Sequence, residues 1–409
     1  MNSILESHKT IHTLAIGLVA LFLVACGGDS SSPTGTPQPS SGGDGDGTFG
    51  TVAPPPSNTL VQLEIEPTAG GHFLDQFPFG AVLETNVGKD GIPALTNPRF
   101  VGTNSVEATY LRDSDLVLGL VVDGEAKAYP HNILWWHEII NDIVGGSSVC
   151  VTLCPLTGTG MVFNGDAEDG SRIELGVSGR LINNNLIMYD RRDDSPDETN
   201  YPQMTAKGIS GRRRDDELEL MPVVETTWRY WKQLYPNTTV VSDRTGYSRS
   251  YVSYPYGSYR NPEAPPQFTT TPSLIDNSRA NLLDWKQIAM GIRFGEIAKA
   301  YPIDNLGSQV AINDDVDGNP ILVIWHAAER MIVPFSRIVD GQTLTFEQVS
   351  SSDPVYPYLL RDMETGTQWN LKGESLPNGA LSGNSLQQLP AHNSFWFAWT
   401  TFWQNTGVY

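Results

Sequence analysis

Extended runs alternate with short helical ones along most of the chain. "SDLVLGLVVDGEAKAYP", residues 114–130, places two strand-forming runs around Asp123-Gly124, which predicts a β-hairpin. In "NILWWHEIINDIVGG", residues 132–146, Ile133, Trp136, Ile140 and Ile143 recur at spacings of three and four, which predicts a short amphipathic helix closed by glycines. On that helix His137 flanks the apolar stripe and Glu138 turns toward solvent. "SSVCVTLC" then alternates Val149, Val151 and Leu153 with Cys150, Thr152 and Cys154, the period of a strand. "RIELGVSGRL" and "NNLIMYD" read as further strands and "TTWRYWKQLYP" as a helix. The fold class is mainly β (α+β).

The pattern occurs twice. "EAKAYPHNIL", from Glu125, returns as "IAKAYPIDNL", from Ile297; shifting by 172 residues lays 126–163 on 298–335 with 13 of 38 positions identical. Chance predicts about two or three from average residue usage. "MPVVETTWRYWKQLYPNT", from Met221, likewise matches "LPAHNSFWFAWTTFWQNT", from Leu389, at Pro222, Trp228, Trp231, Asn237 and Thr238. The expected organisation is two related β-rich domains from an internal duplication, 60–242 and 285–409, each with one or two short helices. Residues 243–284, rich in Tyr and Pro, join them, either packed across both domains by their tyrosines or forming an aromatic ligand platform.

Charge narrows the partners. With 26 basic and 46 acidic residues the net charge is −20, which repels phosphate backbones, so nucleic-acid binding is not expected. At the N-terminus the apolar run "LAIGLVALFLVAC", residues 14–26, is too short to span a bilayer and ends in Leu-Val-Ala-Cys, which resembles a bacterial lipoprotein signal. That resemblance implies a signal peptide over 1–26, lipidation of Cys26, membrane attachment through it, and a cell-envelope location facing the periplasm or exterior. Residues 27–59, almost wholly Gly, Ser, Pro, Thr and Asp, then read as a disordered tether with a reach of roughly 30 Å.

Only Cys150 and Cys154 remain as thiols. On one extended strand, four residues at about 3.3 Å each hold them too far apart for a disulfide. The sequence leaves three roles for Cys154 open: a buried small residue, a nucleophilic or redox thiol with His137 as base, or a copper or zinc ligand with His137 and with Met188 as thioether. Asp190 and Arg191 read as an ion pair closing a strand end or, with Glu138, as ligand-binding groups, Arg191 clamping a carboxylate. His131, beside Pro130 in a turn, reads as a surface residue, and His72 and His392 lack supporting neighbours. In the second copy His326 stands at the place of Cys154 and Gln309 at that of His137, so that copy reads as degenerate; alternatively a pseudo-two-fold arrangement brings Cys154 and His326 into one cleft.

Taken together, "GEAKAYP…HEIINDIVGG…VTLCPLTGTGMVF…LGVSGRLINNNLIMYDR" and "LPAHNSFWFAW" resemble the bacterial domain of unknown function 3179 over essentially all of the chain after the tether. The resemblance directs attention to His137, Glu138, Asn141, Asp142, Cys154, Pro155, Ser178, Gly179, Met188, Tyr189, Asp190 and Arg191. Members often carry Cys-Pro-Leu-Cys; here Thr157 replaces the second thiol. No phosphate loop, dinucleotide fingerprint, zinc-protease helix or hydrolase elbow is present. The expected function is a lipid-anchored extracytoplasmic protein of binding or accessory type, the alternatives being a thiol enzyme using Cys154 and His137 or a mononuclear copper or zinc protein.

Overall fold

The Asp123-Gly124 pair adopts the left-handed backbone that a tight hairpin needs, with φ of 47° and 81°. It joins β1 (Leu116–Val122) to β2 (Glu125–Pro130) in antiparallel register. The structure, a computed structural model, describes residues 61–64, 81–194, 197–267 and 278–409; of 61–64 and 81 it describes the backbone only. Cys26, the tether and His72 lie outside these residues. The described residues fall in one compact unit, Phe49–Tyr409, and are mainly β. Among them no helix is long and apolar enough to cross a membrane.

After β2 come α1 (His131–His137), then β3 (Ile139–Val144), β4 (Ser147–Cys154) and β5 (Thr159–Asn164), an antiparallel meander. A further hairpin, β6 (Leu175–Ile182) and β7 (Asn185–Asp190), belongs to a separate sheet. Next, β8 (Val224–Thr227) runs antiparallel to β1, α2 (Trp228–Leu234) follows it, and β9 (Thr239–Val241) pairs parallel with β2.

The same order returns in the second half. There β10 (Ile288–Phe294) and β11 (Ile297–Pro302) form a hairpin, followed by the meander β12 (Gln309–Val316), β13 (Asn319–His326) and β14 (Met331–Ser336). β15 (His392–Phe395) runs antiparallel to β10, α3 (Trp396–Phe402) follows, and β16 (Gly407–Val408) pairs parallel with β11.

The repeated residues make the same contacts in both halves. Tyr129 and Lys127 reach Asp142 at 2.8 and 3.1 Å; Tyr301 and Lys299 reach Asp314 at 2.6 and 2.5 Å. Asn141 brackets the backbone of Leu175 with two hydrogen bonds, and Asn313 does so with Phe346. Trp231 donates to Thr238 and Trp399 to Thr406. Each indole lies on a glycine: a Cβ on Gly119 would meet Trp231 at 2.3 Å, and one on Gly291 would meet Trp399 at 2.0 Å.

One expected element changes. The helix predicted across Ile133–Ile143 stops at His137, and Ile139–Val144 is a strand. Glu138 takes φ of 56°, its N–H still reaching Leu134 O while its carbonyl accepts from Leu153 N. The apolar residues after it are β-branched, and the strand is covered on both sides: Ile139 enters the core of Cys150, Cys154 and Met188, and Ile140 that of Leu118, Tyr129 and Val151. Two buried faces erase the alternation that marks a strand. In β4 the predicted alternation holds, with Val149, Val151 and Leu153 in one core and Cys150 and Cys154 in the other.

Candidate functional site

Cys154 ends β4 at the point where the chain turns through Pro155-Leu156-Thr157-Gly158. Only 2% of it is exposed. Its Sγ accepts from Leu186 N at 3.4 Å, at the start of β7, and faces Asn184 O of the β6–β7 turn at 3.7 Å as donor. Burial, reinforced by the Glu138 carboxyl, pushes the thiol up to about 11, so it is a neutral S–H at physiological pH. Cys150 faces the same core and is pushed up to about 12 by burial. Both cysteines are free, as their separation on one strand requires.

The imidazole of His137 is committed elsewhere. Nδ1 lies 2.8 Å from Pro93 O and Nε2 2.8 Å from the Tyr251 hydroxyl, which in turn lies 2.5 Å from Thr245 Oγ1. Burial lowers it to about 4, leaving a neutral ring with both nitrogens engaged. The group next to Cys154 is instead Glu138. The sequence turns this residue toward solvent, yet it is only 7% exposed, because the left-handed twist at its own backbone swings it inward. Burial raises its carboxyl to about 8, and Tyr256 donates to Oε1 at 3.3 Å.

Tyr256 belongs to the segment that follows the first half, which forms a strap over α1 and the Cys154 turn. Tyr259 donates to Leu156 O at 2.9 Å, and Tyr254 stands edge-on to Trp135 at 5.0 Å. Lys286, 2% exposed, donates to Tyr259 O at 2.5 Å and lies 3.5 Å from its ring centroid. The tyrosines thus pack over the first half and close the ground around Glu138 and Cys154.

The remaining predicted residues scatter. Met188 is fully buried in the Cys154 core. Asp190 is fully buried but its partner is Arg192, in a two-pronged contact at 2.6–3.1 Å; Arg191 binds Asp90 at 3.1 Å. Arg191 lies in the turn after β7 and reaches Asp90 while Arg192 holds Asp190, so Asp190 and Arg191 do not form the pair read from the sequence. His131 is buried rather than exposed, His392 is buried too, and burial lowers both to about 3. His326 pairs in register with Gln309 and stands edge-on to Tyr230 at 5.1 Å, while Cys154 packs with Met188 and Leu186. Among the described residues no three His, Cys, Asp or Glu side chains gather as a metal site requires.

A family pattern described as "Protein of unknown function (DUF3179)" matches residues 89–406, from the strand-poor entry to the first half through α3. The chain belongs to the DUF3179 family. No curated protein and no solved structure matches it. In this DUF3179 chain the matched span holds Cys154, Glu138 and the strap that covers them. Sequence reasoning picked out Cys154, His137 and Glu138 and the Tyr-rich segment as a whole, but not the individual roles of Tyr251, Tyr256 and Tyr259, and it missed Arg192 and Lys286. The run of tyrosines in "YVSYPYGSYR" was the available signal for the strap; nothing local marked Lys286 or Arg192.

Proposed function

We propose that this DUF3179 protein is a binding or accessory protein of the cell envelope, attached through lipidated Cys26, and that its site lies around Glu138 beneath the tyrosine strap. The observation that carries this reading is Glu138: a buried carboxyl at positive φ, hydrogen-bonded by Tyr256 beside a neutral thiol. Strained, shifted groups of this kind concentrate at functional sites. A protonated carboxyl donates a hydrogen bond to a ligand that a carboxylate would repel.

The thiol-enzyme alternative needs a thiolate at neutral pH and a free base. Cys154 is shifted the opposite way and His137 is occupied, which favours binding. Alkylation with iodoacetamide at pH 8 tests this: Cys154 is expected to label only when the chain is unfolded, and rapid labelling of the folded chain would restore the enzyme reading. Fractionation of cells carrying Cys26→Ser tests the anchor. The variant is expected in the soluble fraction, and unchanged membrane retention would overturn it.

A further inference from the structure

The two halves meet through equivalent parts. Thr226 of β8 donates to Glu329 O at 2.8 Å, and Phe395 N of β15 donates to Thr157 O at 2.8 Å; the repeat shift of 172 carries Thr157 onto Glu329. Glu225 and Asn393, each three residues before a helix that opens with Trp, are equivalent in the repeat, and the Asn393 side chain hydrogen-bonds the Glu225 carboxyl across this junction, leaving Oε2 and Asn393 Oδ1 over. The junction is therefore close to an isologous contact between half-molecules.

At its centre three polar atoms are buried without a hydrogen-bond partner: Glu225 Oε2, Asn393 Oδ1 and His131 Nε2. His131 and Asn393 are each 8% exposed. Glu225 Oε2 and His131 Nε2 stand 3.7 Å apart, too far to satisfy each other. Unsatisfied buried polar atoms are costly and uncommon in folded proteins, so three at one junction mark a place where something else supplies the partners.

Two guanidinium groups act on this group of side chains. Arg330 acts electrostatically on both His131 and Glu225, and Arg260 acts on His131 and on Arg330. Among the described residues neither makes an ion pair, in a chain whose acidic residues outnumber basic ones 46 to 26. Arg260 lies over Trp135 at 4.6 Å and Tyr254 at 3.8 Å, giving the rim an aromatic side. Arg330 sits at φ of 50°, where the equivalent residue of the first half is Gly158 at 64°. A long charged side chain is held at a backbone position that favours glycine, and it faces another cation.

We propose that the junction binds a small hydroxylated organic acid of the sugar-acid class, its carboxylate on Arg260 and Arg330 and its hydroxyls on His131, Glu225 and Asn393. Guanidinium pairs match oxyanions by geometry as well as charge, and the floor offers donors and acceptors to hydroxyls. Both halves contribute: His131, Glu225 and the Arg260 strap from one side, Arg330 and Asn393 from the other. The site is separate from the Glu138 and Cys154 ground and stands without it.

Calorimetric titration of the purified full chain with D-glucuronate, D-galacturonate, D-gluconate, glucose and acetate tests it. At least one sugar acid is expected to bind saturably and at least tenfold more tightly than acetate or glucose. Arg330→Gly, which suits the positive φ, and Arg260→Ala, at an exposed position, are each expected to weaken that binding about tenfold while the ligand-free melting temperature stays unchanged. No saturable binding by any sugar acid, or affinities equal to that of acetate, would overturn the proposal. Equal binding by the folded variants and the native chain would overturn it as well.

Discussion

Glu138 shows how a single backbone angle redirects chemistry. Were α1 to continue, this side chain would point to solvent; at φ of 56° it enters the core beside Cys154, and burial raises its carboxyl to about 8. The folded chain then holds a proton that the unfolded chain releases above its ordinary value of 4.5. Glu138 therefore favours folding most at low pH, and its contribution is lost as pH rises through about 8. His131 and His137, lowered to about 3 and about 4, act oppositely: their contribution is present above the ordinary value of 6.5 and is lost as pH falls toward 4. Glu138→Gln removes only the first effect. Its melting temperature, measured against the native chain, is expected to gain steadily from about pH 5 to about pH 9, and a flat difference would contradict the assignment.

Secondary-structure elements carry the clearest likeness between the two halves. In each half a glycine in the first hairpin strand receives the indole of the helix that follows the edge strand, with no room for a Cβ. Gly119→Ala and Gly291→Ala are each expected to destabilise the chain by about 2–3 kcal/mol in denaturant unfolding, because the indole or the strand has to shift. Much at this scale was legible. The hairpin β1–β2, the strand β4 and the helix α2 follow from period and turn residues that act within a few positions of one another. The helix read across Ile133–Ile143 failed for a physical reason: a strand buried on both faces carries apolar residues at any spacing, so periodicity alone does not separate it from a helix.

For the whole molecule, the parallel registers of the two halves make a common origin by duplication our reading of the architecture. The halves dock strand against turn, and Glu329 is central to one side of that contact. It accepts from Thr227 Oγ1 and from Arg229 Nη2 while its carbonyl accepts from Thr226. Glu329→Ala leaves the buried Thr227 hydroxyl without its carboxylate and releases the half-exposed Arg229. A loss of about 2–3 kcal/mol in equilibrium unfolding is expected, whereas a loss near zero would show that the halves hold together without it.

The sequence by itself determined the mainly β class, the order of most elements and the correspondence of residues between the two halves, since propensity, turn chemistry and side-chain period are local. It also drew attention to Cys154, Glu138 and His137. Only the tertiary structure decided what these residues face. Tyr256 reaches Glu138 across 118 positions of sequence, Tyr251 reaches His137 across 114, and the Glu225–Asn393 junction joins the two halves. Apolar burial drives such segments together without direction, so which polar groups meet, and which are left without a partner, follows from how the layers pack.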